Sequence, residues 1–67
     1  MATTAEEIKR LRKKEGLTQE QLGEVIGVTG MAVSKYESGD AVPSDDNKMK
    51  IARHFGVSVE SLFFINK

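Results

Sequence analysis

Thr18–Gly39 reads TQEQLGEVIGVTGMAVSKYESG, two short helical phrases joined by a glycine-bearing link. Thr18 and Gln21, three residues on, have the form of a capping box, which satisfies N–H groups left orphaned at a helix start. Leu22, Val25 and Ile26 supply an apolar face, and Gly27 is free to take the positive φ that stops a helix sharply. Thr29 opens the second phrase, Val33 and Tyr36 sit one turn apart on its inner side, and Gly39 ends it. Two short helices linked by about three or four residues including glycine describe a helix-turn-helix. Counted from Gln19, the small or branched positions fall in a set pattern: Gly23 fifth, Gly27 ninth and Val33 fifteenth. Gly23 is expected to allow close backbone approach, while Val33, Leu22, Val28 and Tyr36 fill the wedge between the helices.

The same grammar extends in both directions. Upstream, Thr4 stands three residues before Glu7 as a second capping pair, Ile8 and Leu11 mark a buried stripe, and Gly16 ends the helix. Lys9, Arg10, Lys13 and Lys14 take its wet side. Downstream, Pro43 cannot continue a helix from the preceding chain. Ser44 caps a fourth helix, and Asp45 and Asp46 suit the positive end of its dipole. Met49, Ile51, Ala52 and Phe55 are its apolar positions and Gly56 its stop. Ser58 is expected to cap a last short helix through Leu62 and Phe63. The pattern predicts an all-α chain of five short helices forming one domain over residues 1–67, with the helix-turn-helix at about 18–38.

Composition narrows the function. At 67 residues the chain is near the lower limit for folding alone. It has no cysteine and a single histidine, His54, so neither a disulfide framework nor a thiolate metal site is available. His54 has no evident nucleophile or base partner; an enzyme, a metal site and a cofactor are therefore not expected. No apolar run approaches the roughly 18 residues of a membrane span and no signal-peptide pattern opens the chain, so a soluble, cytoplasmic protein is expected. For a chain this short, neither an appended sensing domain nor a small-molecule effector is expected.

Ten basic and ten acidic residues cancel. Because phosphate neutralisation supplies much of the affinity of a nucleic-acid binder, the distribution of these charges matters more than their sum. Between Gln19 and Gly39 stands one cation, Lys35, against Glu20, Glu24 and Glu37. The basic charge is concentrated instead in KRLRKK (Lys9–Lys14) and in Lys48, Lys50 and Arg53.

LRKKEGLTQEQLGEVIGVTGMAVSKYESG (Leu11–Gly39), followed by Pro43 and IARHFGVSVESLF (Ile51–Phe63), resembles the Cro/CI-type, or XRE-like, helix-turn-helix domain. The resemblance runs from about Ile8 to Phe63. It implies a five-helix lambda-repressor-like fold whose helices 2 and 3 form the helix-turn-helix. It also implies binding of double-stranded operator DNA, dimerisation, and transcription regulation, including repression, of the kind used by bacteriophages and mobile elements. Gln19 matches a phosphate-contacting position. Thr29, Gly30, Met31, Ser34 and Lys35 match the recognition helix, whose N-terminal part enters the major groove. Arg12 and Glu37 match an interior ion pair that ties helix 1 to helix 3.

The chain also departs from that pattern. Where relatives carry Arg, Gln or Ser to bond base edges, Gly30 offers only backbone and Met31 only a soft apolar side chain. Asp40 replaces a basic residue after the stop glycine, with Asp45 and Asp46 following. Two functions fit: an operator-binding regulator reading DNA through helix 3, or an antirepressor-like regulator whose helix 3 meets another repressor protein instead. In the tail, Leu62 is expected to close the core. Phe63, Phe64 and Ile65 leave an apolar patch suited to a homodimer contact.

Overall fold

The computed structural model describes residues 3–63, without the side chains of Ser61 and Phe63. Four helices of eight or more residues, α1 (Thr4–Lys14), α2 (Gln19–Ile26), α3 (Gly30–Ser38) and α4 (Asp45–Phe55), are closed by one five-residue segment, α5 (Val59–Phe63). The described residues contain no strand, and none of their helices is long and apolar enough to cross a membrane.

Local chemistry sets the boundaries. Thr18 accepts from the Gln21 N–H at 3.0 Å while Gln21 Oε1 accepts from the Thr18 N–H at 2.8 Å, the reciprocal box expected of α2. For α1 the box is shifted by one residue from the expected Thr4–Glu7. Thr3 is the cap, its side chain accepting from the Glu6 N–H at 3.1 Å, and Glu6 Oε1 accepts from the Thr3 N–H at 2.9 Å. Thr3-x-x-Glu6 and Thr4-x-x-Glu7 are the same motif one residue apart, so local pattern could not choose between them. Glu7 is instead drawn to Arg10. Thr29 and Ser44 cap α3 and α4 by accepting from Ala32 and Asn47.

Ile8, Leu11, Leu22, Ile26, Val33, Ile51, Ala52 and Leu62 form one core, with Leu17, Val28, Tyr36, Phe55, Val57 and Val59 packed around it. α3 packs on α1 and α2, α4 on α2 and α5, and α5 returns to α1. Leu62 joins the two ends of the chain in that core. Two expected core positions stay outside: Val25 is 46% exposed and Met49 is 49% exposed. Each lies on a helix whose other apolar residues, Leu22 and Ile26 or Ile51 and Ala52, already fill the inward stripe.

The link between α2 and α3 is built on two glycines. Gly27 adopts φ 78° and closes α2, and the Val28 N–H returns to the Gly23 carbonyl at 2.8 Å. A Cβ on Gly23 would lie 2.5 Å from the Val28 carbonyl oxygen and 3.0 Å from Thr29 carbonyl carbon. The close approach is thus made by the turn itself, folded back over α2.

Candidate nucleic-acid interface

α3 presents two unlike faces. Val33 is fully buried and Tyr36 packs on the core, while Met31, Ser34, Lys35 and Ser38, at i, i+3, i+4 and i+7, form one exposed row. Met31 is 72% exposed. A side chain of that size left in water, at the start of a helix fixed on its other side, is available to a partner.

The fixing device is a partly buried network around Glu37. Arg12 Nε donates to Glu37 Oε2 at 2.6 Å and Arg12 Nη2 to Glu37 Oε1 at 3.1 Å, a bidentate pair with side chains only 11% and 4% exposed. Arg12 Nη1 donates to the Leu17 carbonyl at 2.7 Å. Gln19 Nε2 adds a third hydrogen bond to Glu37, at 3.2 Å from Oε1. The carboxylate therefore ties α1 and the first residue of α2 to α3, while Arg12 adds the α1–α2 link through Leu17. Sequence reading pairs Arg12 with Glu37 through resemblance; the parts played by Leu17 and Gln19 leave no local signal, because they depend on where helix starts meet in space.

The remaining residues singled out from sequence occupy distinct places. Thr29 is exposed and spends its hydroxyl oxygen on the Ala32 N–H at 3.1 Å. Gly30 is half-buried against α2: a Cβ there would sit 2.8 Å from Glu20 Cγ and 3.1 Å from Glu20 Cα. Its role in the structure is to let α3 begin close to the first turn of α2. Met31, Ser34 and Lys35 are the exposed members of the set within α3 itself. Phe64 and Ile65 lie outside the described residues, as does the side chain of Phe63.

Gln19, Ser34, Glu37 and Ser38 share a shallow hollow of about 200 Å³ with Lys9 of α1. A second hollow lies toward the other end of α2, between Val25 and Lys50, Arg53 and His54 of α4. There His54, for which sequence offers no partner, has its Nε2 2.9 Å from Glu15 Oε1 and joins α4 to the end of α1. That pair has no nucleophile beside it among the residues lining the hollow.

Comparison with known proteins places this geometry in a wider set. The helix-turn-helix family HTH_3 matches residues 8–62. The HTH-type transcriptional regulator YgzD of Bacillus subtilis is 40% identical over 60 residues, covering 90% of this chain and 91% of YgzD. The cryptic phage CTXphi transcriptional repressor RstR of Vibrio cholerae is 35% identical over 57 residues, 85% of this chain but 51% of RstR. Among solved structures, the P22 c2 repressor in complex with synthetic operator 9T has a TM-score of 0.89 at 27% identity, covering 94% of this chain and 96% of that one.

Proposed function

The chain belongs to the helix-turn-helix family of Cro/CI-type, XRE-like transcription regulators, and from that premise we propose that it binds operator DNA by laying α3 in the major groove. The family is one of transcription regulators, not of enzymes, and this chain is read as a regulator without catalytic activity, acting in the cytoplasm. We read α5 as the fifth helix of a lambda-repressor-like arrangement and residues 1–67 as a single domain, a reading supported by the four longer helices and the likeness to the P22 c2 repressor.

The observation that carries the reading is the exposed row of α3 held rigid from behind. A groove-reading helix must arrive with its orientation set, because base-edge contacts are short and directional. The Arg12–Glu37–Gln19 network supplies that orientation. Lys35 is the cation of the row and suits guanine O6 and N7. Ser34 offers a hydroxyl, Met31 an apolar surface, and Gly30 and Thr29 shape the helix start. Gln19, held by Glu37, keeps a second amide hydrogen for the DNA backbone. The alternative in which α3 meets a partner repressor instead of DNA is not favoured. Two copies on a two-fold operator are the natural arrangement, with Phe63, Phe64 and Ile65 as the candidate dimer contact.

Binding of the chain to duplexes from around its own gene tests this. Specific binding is expected, with affinity falling steeply as salt rises. Lys35→Ala is expected to cost about 1–3 kcal/mol of operator affinity and to relax specificity at one base pair. Equal affinity for operator and scrambled duplex would sink the proposal.

A further inference from the structure

The run Lys9–Lys14 reads as one basic face in sequence, yet the structure gives its members different work. Arg10 is held by Glu7, with Nε 2.9 Å from Oε1 and Nη2 2.6 Å from Oε2. Arg12 is turned inward and bound to Glu37 and Leu17. Lys13 and Lys14 stand exposed in the last turn of α1 and do not line the hollow between α1, α2 and α3. Lys9 does line it, and it has no hydrogen-bond or ion-pair partner among the described residues.

We propose that Lys9, with Gln19 and Ser34, forms a seat for one backbone phosphate of the bound DNA, which makes Lys9 the member of the basic run that contacts nucleic acid. The inference rests on the DNA-binding reading above. The lining has the chemistry of an anion site: the Lys9 ammonium, the second amide hydrogen of Gln19, and the hydroxyl of Ser34, which has no partner among the described residues. Ser38 contributes less, since its hydroxyl donates to the Lys35 carbonyl at 3.1 Å. Glu37 is the anion of the lining. Its oxygens are occupied by Arg12 and Gln19, and the Arg12 guanidinium balances its charge. Position agrees with chemistry, because Ser34 belongs both to this hollow and to the exposed row of α3. A helix lying in the major groove has backbone phosphates along its flanks, and contacts to them fix register without reading sequence.

The test is the salt dependence of binding to an operator duplex and a scrambled duplex of equal length, for wild type, Lys9→Gln, Lys9→Arg and Lys13→Gln. Each neutralised phosphate contributes about 0.9 to the slope of log affinity against log salt. Lys9→Gln is expected to reduce the slope by about 0.9 on both duplexes, with Lys9→Arg restoring it and Lys13→Gln leaving it unchanged. Unchanged thermal melting of Lys9→Gln excludes misfolding. A wild-type slope in Lys9→Gln, or an equal loss in Lys13→Gln, overturns the phosphate seat while leaving operator binding intact. A wild-type chain that does not prefer its operator overturns the functional reading beneath it.

Discussion

At the scale of single residues, the decisive pair is Arg12 and Glu37. A charge taken out of water is tolerable only while its partners remain, so removing one side is worse than removing both. Arg12→Ala and Glu37→Ala are each expected to lose about 3–5 kcal/mol, comparable to the whole stability of a domain this small. The double variant Arg12→Met/Glu37→Leu is expected to recover much of that loss, because apolar side chains of similar volume leave no unpaired charge. Urea unfolding of the three variants checks it; a double variant as unstable as the singles would contradict the account. This ion pair is one that the resemblance implied. Gly30, which the resemblance sets in the recognition helix, also has a packing role: a Cβ there would meet Glu20 of α2. Nothing at positions 29–32 announces that contact, since it is made with a helix ten residues earlier in the chain.

At the scale of the helix, α1 offers two contrasts. Thr3 carries the cap, so Thr3→Ala is expected to cost about 1 kcal/mol and lower the melting temperature by roughly 4–8 °C. Thr4→Ala, removing a side chain with no capping role, is expected to stay within about 0.5 kcal/mol of wild type. Equal losses from the two would return the cap to the ambiguity of the sequence. The second contrast concerns acid. The Arg10 guanidinium bonded to Glu7 holds that carboxyl below its ordinary range, with their charge attraction adding to the effect and desolvation opposing it. A carboxyl lowered on folding stabilises the fold above its unfolded value and loses that contribution as pH falls through the folded value. The stability difference between wild type and Glu7→Gln is therefore expected at neutral pH and low salt, closing in acid and shrinking in high salt because the pair is exposed. α3 depends most on its surroundings. Val33 is its one fully buried side chain, so its cap, its closing glycine and the Glu37 network hold it where the row Met31–Lys35 can be presented.

At the scale of the whole molecule, eight buried hydrophobic residues among those described, from four helices and the short α5, make a single core. Leu22, fully buried at the centre of the helix-turn-helix, is the sensitive point. Leu22→Ala is expected to cost about 2–5 kcal/mol and to leave much of the population unfolded at 37 °C, as circular dichroism would show. The helices, their stops and most of the core could be read from the chain alone, because caps, left-handed glycines and one-turn apolar spacing act within a few residues of themselves. That range explains the family resemblance and the α2–α3 turn. The tertiary structure decided which of two equivalent threonines caps α1, which apolar residues lose the competition for the inward stripe, and what each cation of Lys9–Lys14 does. It alone brought Lys9 of α1 beside Gln19 and Ser34 of two other helices. Those outcomes turn on distances between residues far apart in the chain, set by core packing and not by any local preference.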